Sequence, residues 1–145
     1  MKPRKKVLHP TDFTELYKRA LRTALTLAQK NGARLILLHV QEPQAEGEFG
    51  VSPPEPEEEE ILTELQRLVP EDLFIEVDFR VAYGNVAEEI INTASYMQCD
   101  LIVLAKHGER NFLTRWFHAI VAEHVIESAP CEVIAVGQPA YEKVA

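Results

Sequence analysis

The sequence predicts an α/β domain built on a parallel sheet, and three observations carry that prediction. Short apolar segments alternate with helix-like segments, giving strand, helix, strand, helix, strand, helix, strand, helix, strand. Such alternation is the pattern of parallel strands joined by right-handed helical crossovers. Residues 35–40 form an apolar run interrupted only by His39, as expected of a strand buried on both faces. The helical segments carry their apolar residues on one stripe, so they can cover such a sheet.

Each element has its own signal. Residues 6–9 form a short apolar strand bounded by Pro10. Thr11 or Asp12 can then act as a helix N-cap or as a turn former, with Glu15 close behind. The first helix spans 16–30, with Leu16, Ala20, Leu21, Ala24, Leu25, Leu27 and Ala28 on its stripe. Asn31-Gly32 stops it, because glycine accepts the left-handed conformation of a C-cap. Residues 42–56 hold Pro43, Gly47, Gly50, Pro53, Pro54 and Pro56, and are expected to form an exposed, mobile loop.

Glu57 to Glu60 lead into Ile61, Leu62, Leu65 and Leu68, a second helix whose acidic start suits the macrodipole. That acidic run reads as a solvated helix start, not a metal site. In 74–81, Phe74, Glu76, Asp78 and Arg80 alternate with Ile75, Val77, Phe79 and Val81. A period of two predicts a strand with one wetter face, at the sheet edge. Tyr83-Gly84-Asn85 turns the chain into a third helix with Val86, Ile90, Ile91 and Ala94 as its stripe and Glu88 and Glu89 in its first turn. Residues 100–104 make a buried fourth strand. The last helix shows Val121, Ala122, Val125 and Ile126 as its apolar face, Pro130 ends it, and 133–136 close the sheet.

The whole chain sets bounds on function. Its 145 residues are expected to form a single domain, 1–145, able to bury about two thirds of its unfolded surface. No apolar run reaches the ~18 residues of a membrane span. The basic start, residues 1–6, is not followed by a secretory h-region, so the cytoplasm is the expected location. A net charge of −8 disfavours general binding of nucleic acid or anionic membrane. Cys99 and Cys131 lack metal-ligand spacing and read as small buried hydrophobes, with no disulfide expected. The histidines are spread over different segments with no His-x-x-x-His pair, so no metal is expected. Neither a Ser-His-Asp constellation nor a complete P-loop is readable, so no enzymatic activity is expected.

Several ordered motifs resemble the universal stress protein family over nearly the full length. Val7-Leu8-His9-Pro10-Thr11-Asp12-Phe13 is similar to the family's opening strand and its Pro-Thr-Asp turn, and Leu37-Leu38-His39-Val40 to its second strand. Gly84-Asn85-Val86-Ala87-Glu88-Glu89-Ile90 resembles the turn into the third helix. Residues 99–104 and 129–136 resemble the remaining strands. The resemblance implies a Rossmann-like, adenine nucleotide alpha hydrolase-like open sheet of five parallel strands in the order 3-2-1-4-5, with helices on both faces. It also implies that the last strand (Val133, Ile134, Ala135, Val136) pairs with its copy in a homodimer.

In an open parallel sheet, ligands sit outside the carboxyl ends of strands where strand order reverses. With this order, that crevice lies between the first and fourth strands. The candidate residues are Pro10, Thr11, Asp12, Val40, Leu104, Ala105, Gly108, His118, Ala119 and Ile120. By resemblance, Pro10, Thr11, Asp12 and Val40 would contact adenine and ribose. Asp12 has two available roles, accepting from a ribose hydroxyl or capping the first helix.

The phosphate half departs from the family. Its nucleotide-binding branch has Gly, two residues, Gly, nine residues, then Gly followed by Ser or Thr. Those positions here are Ala105, Gly108, His118 and Ala119, and only Gly108 matches. Glycines there let backbone N–H groups converge on phosphate. His118 either fills the space of the phosphates or, protonated, binds an anion. Lys106, Arg110 and Arg115 are either compensating cations or solvated loop residues, and His107 reads as structural. Phe112, Trp116 and Phe117 are either core or an apolar patch for a partner protein.

The leading reading is a non-enzymatic, homodimeric stress-response protein that acts through protein contacts without tight ATP binding. The alternative is an adenine-nucleotide module, for ATP or AMP, with a remodelled phosphate loop.

Overall fold

The computed structural model describes residues 5–43, 50, 54–106 and 118–137. It contains five strands, β1 (Lys6–Pro10), β2 (Arg34–Gln41), β3 (Val77–Tyr83), β4 (Leu101–Lys106) and β5 (Glu132–Gly137). Between them lie four helices, α1 (Lys18–Asn31), α2 (Glu58–Arg67), α3 (Val86–Tyr96) and α4 (His118–Ser128). All four strand pairings are parallel and the order is β3-β2-β1-β4-β5, as expected. α1 and α2 pack on one face of the sheet, and α3 and α4 on the other.

β2 sits between β1 and β3, and every residue from Leu35 to Gln41 is buried. Burying one such leucine or isoleucine side chain stabilises the fold by about 1.5–3 kcal/mol. α1 lies over the sheet on a row of small side chains, Ala20, Ala24 and Ala28, all fully covered. It ends as expected at Gly32, whose φ of 59° is left-handed and whose N–H reaches the carbonyls of Ala28 and Gln29.

Three details differ from the sequence expectation, and the structure decides one that the sequence left open. Neither Thr11 nor Asp12 caps α1: a 3-10 turn, Glu15–Tyr17, intervenes, and the side chain of Asp12 instead closes the turn through Thr14. β3 starts at Val77, not at 74, and Phe74 is 95% exposed. The Glu76 carbonyl still accepts from the Leu35 N–H at 2.9 Å, but 74 and 75 would lie opposite Gly32 and Ala33, where the partner chain is still turning. At its other end β3 runs on through Tyr83, because β2 continues to Gln41. In α4, Ala122 and Val125 are buried but Ile126 is half exposed, so the covered face is narrower than its apolar residues.

β3 is an edge strand with a half-buried pattern. Asn85 caps α3, its side chain accepting from the N–H of Glu88 at 3.0 Å. Of the loop expected at 42–56, only 42, 43, 50 and 54–56 belong to the described residues. Cys99, buried, and Cys131, half-buried, are free thiols. No helix among the described residues is long and apolar enough to cross a membrane.

Candidate functional site

β4 follows β3 in the chain but lies beside β1 in the sheet. α1, which follows β1, and α4, which follows β4 in the chain, pack on opposite faces of the sheet, and such a reversal is where an open parallel sheet offers a crevice at the carboxyl ends of its strands. The parallel register of Val7 with Leu101 and Leu8 with Ile102 sets the end of β1 level with Leu104 and Ala105.

The turn after β1 is locked by its own side chains. The Thr11 N–H donates to the Leu38 carbonyl at 2.8 Å, extending the β1–β2 ladder by one residue. The Thr11 hydroxyl oxygen accepts from the N–H of Phe13 at 3.1 Å. Asp12 Oδ1 accepts from the Thr14 N–H at 2.9 Å and from the Thr14 hydroxyl at 2.6 Å. Thr11 and Asp12 are 2% and 1% exposed. These bonds hold Phe13 at a φ of 69°, a left-handed conformation that costs a non-glycine residue about 1–2 kcal/mol. Tyr17 is buried nearby, and its phenol pKa is pushed well above the usual value, first by burial and then by the charge of Asp12. The phenol is therefore neutral, and Asp12 and Tyr17 share one buried neighbourhood.

The remaining candidates fall into three groups. Val40, Leu104 and Ala105 are buried, Val40 on the opposite face of β2 from His39 and Gln41. Ile120 is 66% exposed in the first turn of α4, and Lys106 is exposed at the end of β4. Gly108 lies outside the described residues, as do His107, Arg110, Phe112, Arg115, Trp116 and Phe117. His118 and Ala119 open α4, but their side chains also lie outside that set. The structure thus brings Pro10, Thr11, Asp12, Leu104 and Ala105 together on adjacent strands, with Val40 one strand further.

Two buried histidines were not singled out by sequence reasoning. His9 Nδ1 lies 2.9 Å from the Val103 carbonyl, which only accepts, so Nδ1 carries the proton. Burial lowers the His9 pKa to about 4, an effect partly offset by that hydrogen bond. His39 Nδ1 donates to the Thr11 carbonyl at 2.8 Å, and its ring lies against Phe13 with centroids 4.6 Å apart. The available signal was a histidine inside each of two apolar strand segments. Among the described residues, no group of three or more His, Cys, Asp or Glu is placed to hold a metal ion.

An open five-stranded parallel sheet with helices on both faces and a crevice at the reversal defines a doubly wound α/β protein. The Universal stress protein family profile matches residues 3–137, and the chain belongs to that family. A search of curated protein sequences finds no match. Among solved structures, the chain is similar to the universal stress protein UspA from Lactobacillus plantarum. The two are 23% identical with a TM-score of 0.64, over 93% of this chain and 99% of that one. It is similar to a universal stress protein in complex with cAMP, at 20% identity and a TM-score of 0.67, over 91% and 96% of the two chains. It is also similar to a universal stress protein from Archaeoglobus fulgidus in complex with dAMP, at 18% identity and a TM-score of 0.58, over 93% and 98%.

Proposed function

We propose that this protein is a non-enzymatic stress-response protein of the cytoplasm, a single-domain chain that works as a homodimer through protein contacts and does not hold ATP tightly. The observation that carries this reading is the state of Asp12. Among the described residues it is the acid that directly follows β1 at the crevice, yet it is buried and its Oδ1 is committed to Thr14. A carboxylate so engaged is badly placed to serve as a catalytic base. The phosphate side adds to this, since His118 and Ala119 stand where the nucleotide-binding branch has Gly and Ser or Thr. Support for the homodimer is the edge position of β5, where Ile134 is 39% exposed, and the exposure of Ile120 and Ile126 on α4. An edge strand with apolar side chains invites a second strand.

A second reading is an adenine-nucleotide module with Pro10, Thr11, Asp12 and Val40 at the base and ribose. Two structural relatives holding cAMP and dAMP favour it, and both ligands are monophosphates, which need less of a phosphate cradle than ATP. Isothermal titration with ATP and with AMP, each with and without magnesium, decides between the readings. No heat at millimolar ligand supports the first. Micromolar binding of AMP overturns it in favour of the second, and Asp12→Ala would then weaken that binding.

A further inference from the structure

We propose that the outer edge of β3 is a docking surface for a second copy of this chain, with the two β3 strands paired antiparallel about Phe79. β3 ends the sheet on the side away from β5, and among the described residues no strand lies beyond it. The contact is therefore separate from the β5 edge and does not depend on it.

Free backbone groups set the phase of the pairing. In the β2–β3 ladder the Glu76 carbonyl accepts from the Leu35 N–H, and the Gly84 N–H donates to the Gln41 carbonyl. In a parallel pair, alternate residues of a strand turn both backbone groups to the same neighbour. Asp78, Arg80 and Ala82 thus face β2, while Val77, Phe79, Val81 and Tyr83 turn their N–H and C=O groups outward. An antiparallel partner bonds such outward residues where they stand directly opposite each other, each pair exchanging both bonds. With the two-fold axis at Phe79, Phe79 faces its own copy and Val77 faces Val81 of the other chain.

Charge then selects the register. Centring on Phe79 sets Asp78 opposite Arg80 of the other copy, and Arg80 opposite Asp78, at the closely spaced positions where side chains meet. Moving the axis by one residue keeps the backbone phase but brings like charges together. About Asp78 the carboxylate faces its own copy, and about Arg80 the guanidinium does. Arg80 is exposed and forms no ion pair among the described residues. Asp78 has only a 3.7 Å contact to Arg34, whose nearer partner is Glu76 at 3.3 Å.

Shape agrees with this register. An open groove of about 300 Å³ runs along the strand edge beside α2, lined by Glu58, Leu62, Asp78, Phe79, Arg80 and Val81. Leu62, Phe79 and Val81 pack around Leu37, Ile61 and Leu65 but stay only half-buried. A paired strand brings Val77, Phe79 and Val81 of the other copy to this same face, apolar side chains against apolar side chains, with ring beside ring at the centre. One pair of short strands buries little surface, so the contact is weak and fills at high protein concentration.

A register-specific cross-link tests this. Asp78→Cys and Arg80→Cys proteins are mixed at high concentration in a glutathione redox buffer, and the linked residues are mapped by mass spectrometry. In a mixed pair the two new thiols face each other with Cα atoms about 4.5 Å apart, within disulfide reach, while the second Arg80–Asp78 contact stays intact. The mixture should form a disulfide-linked dimer roughly tenfold faster than either variant alone, since a single variant offers only diagonal thiols. β5 is unaltered in every sample, so it cannot account for the difference. Sedimentation over a concentration series gives a second reading. Arg80→Asp should weaken association about tenfold, and the swap Asp78→Arg/Arg80→Asp should restore it. Melting temperatures check the fold, and if the Asp78 variants melt early, Arg80→Asp at its exposed position decides alone. Cross-linking no faster in the mixture, association untouched by Arg80→Asp, or a folded charge swap that fails to restore it overturns the assignment and leaves this edge to another protein or to solvent.

Discussion

β2 and β5 read alike as sequence, since Leu35 to Leu38 and Val133 to Val136 are both unbroken apolar runs. In the fold they differ. β2 is paired on both sides and buried along Leu35 to Gln41, while β5 closes the sheet with a half-exposed pattern. An apolar run specifies a strand but not its place. The place follows from the order of crossovers, and an edge is left with apolar surface that the chain itself does not cover.

The largest test of that contrast is truncation in the centre. Leu37→Ala, at a fully buried position between β1 and β3, should cost about 3–4 kcal/mol in urea unfolding. The matching Ile134→Ala on β5 should cost well under half of that. Similar losses at the two sites would break the contrast.

The next effect comes from His9, on the central strand β1. Its pKa is about 4 folded, against an ordinary 6.5 unfolded. The folded state therefore keeps the ring neutral while the unfolded state takes up a proton. This contribution is fully present above pH 6.5 and is lost as pH falls from 6.5 toward 4. By pH 4.5 the loss from this group should reach about 2–3 kcal/mol, at roughly 1.36 kcal/mol per pKa unit. His9→Gln keeps a donor for Val103 and should flatten the unfolding free energy over that range. An unchanged pH slope would remove His9 as its source.

A smaller effect is local. Asn85→Ala removes the cap of α3 and should cost about 1 kcal/mol, whichever strand the helix covers. Smallest for the fold, and most informative for the edge, is Ile134→Lys. Unfolding should move by no more than about 0.5 kcal/mol, as for other surface changes. If the proposed homodimer forms through β5, sedimentation should nevertheless shift from dimer to monomer. A dimer that survives the change would place the interface elsewhere.

Most of the fold was legible because its signals are local. Alternating periods, the Asn31-Gly32 stop and the turn before Val86 each act within a few residues. The misses came from interactions between distant residues. Phe74 continues a strand pattern, but strands end where their partner ends, and Ala33 is 41 positions earlier in the sequence. The two roles open to Asp12 were decided locally instead, by Thr14 two residues on. Of the crevice, Pro10, Thr11, Asp12, Leu104 and Ala105 could be placed from strand ends and sheet order. The pocket lined by Phe13, His39, Gln41, Glu60 and Glu64 could not, because its residues come from a turn, a strand and a helix that only the fold assembles.

The position of β1 also sets a schedule. It is the first of this sheet's five strands to be made, yet it lies inside the sheet, with β2 on one side and β4 on the other. Lys6 shows the span: its N–H reaches Asp100 Oδ2 and its ammonium reaches the Met97 carbonyl, 94 and 91 positions later. A ribosome working at roughly 5–20 residues per second needs about 5–20 s to cover that interval. Throughout it, one side of β1 presents unpaired backbone groups. A newly made chain of this protein thus spends several seconds with an open edge at what will be its centre, and that is when it is most open to capture by a chaperone or by another nascent chain.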